Sequence, residues 1–123
     1  MRILVIDDDP DIRRLLTRTF LRWGHQVDCI GDGDLVVPHC VEHLAEYDVV
    51  LLDVVLPGIP GTGLYRWLRQ LNEDIRVILI TGYGKSERVQ VALEEGAELL
   101  PKPFDTEDLK RIVLDGEPAI CAS

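Results

Sequence analysis

The chain has 123 residues, 46% of them apolar and 28% charged, the composition of one globular domain large enough for a full core. Its formal charge of −9 argues against a direct nucleic-acid partner, because no basic stripe exists to displace counterions from phosphates, yet it permits a cation site or a basic partner surface. No apolar run approaches membrane-spanning length and the N-terminus leads straight into a strand-like run, so a cytoplasmic protein without a membrane partner is expected.

Five strand-like runs alternate with helix-period segments. Residues 2–6 (RILVI) open the chain. Asp9 as N-cap and Pro10 at the first helical position then start a helix carrying Ile12, Leu15, Leu16, Phe20 and Trp23, which Gly24 closes. Residues 26–30 (QVDCI) form the second run. A second helix is expected somewhere in 34–46, with a start at or just before Pro38, since proline disfavours helix interiors. The third run, 48–53 (DVVLLD), does not alternate polar with apolar, which marks a strand covered on both faces. Pro57, Gly58, Pro60 and Gly61 punctuate a loop after it. Leu64, Trp67, Leu68 and Leu71 then recur at helical spacing, followed by the run 76–80 (RVILI). Val89, Ala92 and Leu93 mark a fourth helix ending near Gly96, 98–100 (ELL) a weak fifth strand, and Leu109, Ile112 and Val113 a last helix capped by Asp105. Cys29, Cys40 and Cys121 are odd in number and lack a CxxC. They are expected to be two buried apolar residues and one in a tail, not a disulfide frame or a zinc site.

Five βα units with short connections wind into a parallel sheet with helices on both faces. In such a doubly wound α/β fold, ligands bind beyond the carboxyl ends of the strands. Asp7 and Asp8 leave the first strand there, Asp53 the third, Thr81 the fourth and Lys102 the fifth. Each alone reads as a cap or a solvated loop residue; together they carry chemistry. Three clustered carboxylates repel unless a cation neutralises them. A hard divalent ion such as Mg²⁺ suits their oxygens and keeps positions for a phosphoryl oxygen. Lys102 supplies a positive charge and Thr81 a hydroxyl for the remaining phosphoryl oxygens. A carboxylate is itself a competent phosphoryl acceptor. The residues together point to phosphoryl transfer onto an aspartate.

The motifs ILVIDDDPDIRRLL, VVLLDVVLPGIPG, VILITGYG and LLPKPF resemble the acidic-pair, phosphoacceptor, hydroxyl and lysine blocks of the receiver domains of two-component response regulators. The resemblance covers about residues 2–114. It implies a flavodoxin-like, five-stranded parallel sheet of order 2-1-3-4-5, with Pro101 on an edge strand as proline requires. It makes Asp53 the phosphorylation site, Asp8 a direct Mg²⁺ ligand, Asp7 an acid acting largely through water, and the backbone carbonyl of Val55 a further ligand. Thr81 and Lys102 become phosphate sensors. Mn²⁺ is an expected substitute ion, and the Lys102–Pro103 bond is expected to be cis. The implied partners are a histidine kinase or histidine phosphotransfer domain and a downstream output protein or domain. The implied activity is catalysis of the domain's own phosphorylation and slow dephosphorylation, secondary to a role as a signalling switch.

Two positions depart from the family pattern. Leu99 stands where many receivers carry a switch aromatic, leaving Tyr83 as the nearest substitute, and Pro60 stands where an acidic residue is frequent. Val55 and Tyr83 flank the approach of a hydrolytic water; neither a valine nor a covering ring orients one, so the phosphorylated state is expected to be long-lived. The domain is expected to span residues 1–116, with 117–123 a tail too short for an output domain. One alternative comes from another class: a haloacid-dehalogenase-like phosphatase with Asp7 as nucleophile and Asp9 two residues on. Asp11 stands against it, where a threonine or valine belongs, and so does the unexplained Asp53 block.

Overall fold

The computed structural model describes residues 1–56, 59–82 and 86–117. Five parallel strands, β1 (Arg2–Ile6), β2 (Gln26–Ile30), β3 (Val49–Asp53), β4 (Arg76–Thr81) and β5 (Glu98–Pro101), form one sheet in the order β2-β1-β3-β4-β5. The helices are α1 (Pro10–Arg22), α2 (Gly33–His43), α3 (Gly61–Leu71), α4 (Glu87–Glu94) and α5 (Thr106–Leu109), the last continuing into a π-helical turn over Lys110–Leu114. Among the described residues no helix is long and apolar enough to cross a membrane.

Successive strand residues point to opposite faces of the sheet, so a sheet covered on both sides needs unbroken apolar runs. Ile3, Val5, Leu51 and Ile78 pack with Leu16 and Phe20 of α1 and Leu109 of α5. Leu4, Val50, Leu52 and Leu79 pack on the other face with Val36 of α2, Leu64 and Leu68 of α3, and Val89 of α4. All five residues of β3 are buried, as a central strand demands. Pro101 ends the edge strand β5, where a missing N–H costs least.

Four expectations from the sequence need correction. Pro38 lies inside α2, which starts at Gly33 with Asp32 as its N-cap. The proline is exposed, and so is Asp34, whose carbonyl would otherwise receive the missing bond. Cys40 is buried but Cys29 is exposed, because β2 is the outermost strand and α1 does not cover it fully. Leu15 and Leu71 are exposed rather than core residues. The segment after β3 is not wholly loop: Val55–Leu56 pair antiparallel with Ile59–Pro60, and α3 begins directly at Gly61. Pro57, Gly58, Tyr83 and Cys121 lie outside the described residues.

Arg76 ties the far end of the sheet to the last helix. Its guanidinium forms a bidentate pair with Glu98 of β5, with Nη2 donating to Oε1 at 2.7 Å, and Nη1 donates to the carbonyl of Val113 at 2.6 Å. A second carbonyl, that of Ile112, is reached by Nη2. These are carbonyls of the kind a helix C-terminus leaves unsatisfied. Replacing Arg76 with Met keeps the apolar stem and strands Glu98 and both carbonyls. Urea denaturation of Arg76→Met is expected to show a loss of about 2 kcal/mol, in the range for charge-assisted hydrogen bonds.

Candidate functional site

Parallel register brings the carboxyl ends of four strands to one level. Ile6 pairs with Leu52, Asp53 with Ile80, and Thr81 with Pro101. The next residue at each exit is held by a backbone bond. Asp7 N donates to the carbonyl of Ile30 (3.1 Å), Val54 N to that of Ile80 (3.2 Å), and Lys102 N to that of Thr81 (2.9 Å). The Lys102–Pro103 peptide is cis, as expected.

At this level the carboxylates of Asp7, Asp8 and Asp53 converge, with one oxygen of each within 4.8 Å of the others. Asp7 is fully buried, Asp53 nearly so, and Asp8 is exposed at the rim. Local backbone amides orient the two buried groups: Asp9 N donates to Asp7 Oδ1 (2.9 Å) and Val55 N to Asp53 Oδ1 (3.0 Å). Lys102 Nζ lies 3.9 Å from Asp7 Oδ2 and 3.8 Å from Asp53 Oδ2. These are ion-pair separations, too long for hydrogen bonds. Thr81 is buried beside them at the end of β4.

The electrostatics are those of an under-neutralised cluster. Burial pushes the Asp7 carboxyl up from its ordinary value of 3.8 to about 6. The Asp9 amide pulls it down, the Asp53 charge pushes it up, and the Lys102 ammonium pulls it down again. Asp7 Oδ2 is buried and, among the described residues, accepts no hydrogen bond. A buried acceptor facing two further carboxylates and one lysine has an obvious complement in a cation.

The response regulator receiver domain family model matches residues 3–114. The chain belongs to that family. It is 33% identical over 117 residues to sporulation initiation phosphotransferase F of Bacillus subtilis, covering 91% of this chain and 90% of that protein. It is 37% identical over 112 residues to the transcriptional regulatory protein TcrA of Mycobacterium tuberculosis; the match takes in 89% of this chain but spans only 43% of TcrA's length. Among solved structures it superposes on the CheX–CheY–BeF3–Mg complex of Borrelia burgdorferi with a TM-score of 0.86 and 27% identity, covering 94% of this chain and 88% of that one.

Receivers of two-component systems bind Mg²⁺ at an acidic site, and the Asp7–Asp8–Asp53 cluster with its unpartnered buried oxygen fits such an ion. The phosphatase alternative gains no support. Its second aspartate, Asp9, serves as the N-cap of α1 and accepts from Asp11 N at 2.9 Å. Leu99 is a buried core residue packed on the α2–α4 face, so no ring occupies that position. Three contacts at the site had no signal in the residue types: the amides of Asp9 and Val55, which come from local turns, and Arg13, whose Nη1 donates to the carbonyl of Asp7 at 2.8 Å.

The raised value for Asp7 has a definite sign. The folded protein holds this proton up to about pH 6, while an unfolded chain releases it near pH 3.9. Between those values the folded state binds the extra proton, so stability falls as pH rises through the window and the loss is complete above it. Asp7→Asn removes that loss. In metal-free buffer at pH 7.5 this variant is expected to exceed wild type in unfolding free energy by about 3 kcal/mol, the difference closing toward pH 4. Urea denaturation across this range checks it; parallel curves would show that Asp7 does not titrate this way.

Proposed function

We propose that Asp53 accepts a phosphoryl group from a phosphohistidine on a histidine kinase or phosphotransfer domain. The observation that carries this reading is the convergence of three carboxylates with Lys102 Nζ at 3.8 Å from Asp53. One Asp53 carboxylate oxygen forms the new O–P bond while the P–N bond breaks, and the imidazole leaves with its electron pair. Loose phosphoryl transition states need positioning and charge neutralisation more than a protein base, and this site is equipped for both. The Val55 amide holds Asp53 Oδ1 and so fixes the carboxylate plane. Lys102 faces Oδ2 and offers its charge to an incoming phosphoryl oxygen. Thr81, buried beside them, offers a hydroxyl to another.

Asp8 would hold a Mg²⁺ ion directly, with Asp53 and the Val55 backbone carbonyl as further ligands and Asp7 acting largely through water; Mn²⁺ would substitute. When bound, the ion neutralises excess carboxylate charge and accepts a phosphoryl oxygen. The phosphorylated domain then acts as a cytoplasmic switch on an output protein or domain. Receivers as a class interact with histidine kinases and output domains.

Incubation with acetyl phosphate and Mg²⁺ is expected to give a hydroxylamine-sensitive phosphoprotein. Asp53→Asn should abolish it and Asp8→Asn should reduce it sharply. Phosphate retained on Asp53→Asn protein would move the acceptor to another residue, Asp7 first. Val55 is exposed beside the site and has no group to orient water. Val55→Asn is therefore expected to speed loss of phosphate by about tenfold or more, as orientation effects allow; unchanged decay would show that water is positioned elsewhere.

A further inference from the structure

We infer that Arg13 is a positioning residue for the acidic turn, and that Gly31 is glycine in order to let it act. This rests on the reading of Asp7, Asp8 and Asp53 as the cation site. Arg13 stands on the first turns of α1, its own N–H bonded to the carbonyl of Asp9. Its guanidinium turns back along the edge of the sheet, and Nη1 donates to the carbonyl of Asp7 at 2.8 Å. That carbonyl belongs to the peptide joining Asp7 to Asp8, so its direction sets where the Asp8 backbone departs from β1.

The two acidic residues are held differently. Asp7 has its carboxylate fixed by the Asp9 amide, and its own N–H is bonded to Ile30. Asp8 is exposed, and among the described residues its carboxylate has no hydrogen-bond partner. Its place in the cluster is therefore set by the backbone, and among the described residues the one side chain that grips the adjoining peptide is Arg13. A charged donor on a carbonyl is among the stronger neutral-acceptor hydrogen bonds, and a planar guanidinium holds direction as well as distance.

Gly31 supplies the independent observation. It follows β2 directly, opposite the end of β1. A Cβ built there would sit 2.6 Å from Arg13 Cζ, inside the guanidinium. Gly31 is not among the glycines with positive φ, so its backbone would accept alanine. A side chain here has room only if the guanidinium of Arg13, the far end of a flexible side chain, shifts aside. Gly31→Ala thus displaces Arg13 without altering any charge and without forcing a strained φ, while Arg13→Gln removes the guanidinium itself.

Groups that orient metal ligands from behind typically change affinity by about tenfold or more when removed. Calorimetric titration of Mg²⁺ into wild type, Arg13→Gln, Gly31→Ala and the double variant, each verified as folded by circular dichroism, tests the inference. Each single substitution is expected to weaken Mg²⁺ binding by about tenfold, and the double variant by no more than either, because both remove one contact. Affinities within twofold of wild type in both singles would overturn it, as would effects that multiply in the double variant. Failure of wild type itself to bind Mg²⁺ would instead refute the cation site on which the inference stands.

Discussion

Three carboxylates that repel one another are held within a few ångströms by parallel strand register, and that enforced proximity is the constraint on which the rest of the site depends. Among the described residues the repulsion is only partly relieved. One lysine faces two of the carboxylates at ion-pair distance, and an oxygen of the buried Asp7 is left without a hydrogen bond. A fold keeps such an arrangement only where its surroundings over-determine it. Here the sheet does so. Bonds from Asp7 N, Val54 N and Lys102 N carry the ladder one residue past each pair of strand ends.

The same register separates stability from function along each strand. The apolar residues of β1, β3 and β4 serve two cores, one under α1 and α5 and one under α2, α3 and α4. The polar residue that ends or follows each run is buried at the carboxyl edge of the sheet, beyond both apolar cores. At the opposite end, Arg76 performs a purely structural task, joining β4, β5 and the last helix through one guanidinium. The chain thus carries a charge network at each end of the sheet, half-buried and satisfied around Arg76, buried and incomplete around Asp7. Incompleteness at the ligand end is what a binding site requires.

Much of this was legible in the residues because it depends on pattern. Unbroken apolar runs ending in Asp7, Asp53 and Thr81 announce central strands and their exits, and Asp9–Pro10 announces a helix start that the structure repeats, with the Asp9 side chain capping Asp11 N. What escaped depends on three-dimensional edges and exceptions. Cys29 sits in a strand-like run, and although the implied strand order puts that run at the sheet's margin, how little α1 covers it depends on packing that no residue type signals. Pro38 is tolerated in α2 because it faces solvent, where water can serve the carbonyl it leaves unpaired. The short ladder of Val55–Leu56 with Ile59–Pro60 is too brief to show periodicity. Gly31 looks like an ordinary turn glycine until Arg13 is seen lying across it.

The central claim is that the acidic cluster is a cation site, and linkage tests it most directly. A ligand that binds only the folded state raises unfolding free energy logarithmically with its concentration. Urea denaturation at pH 7.5 over a series of Mg²⁺ concentrations, with ionic strength held constant by NaCl, should show that rise in wild type and its loss in Asp8→Asn. Stability that is flat in Mg²⁺ at constant ionic strength, or that rises equally in both proteins, would contradict the account.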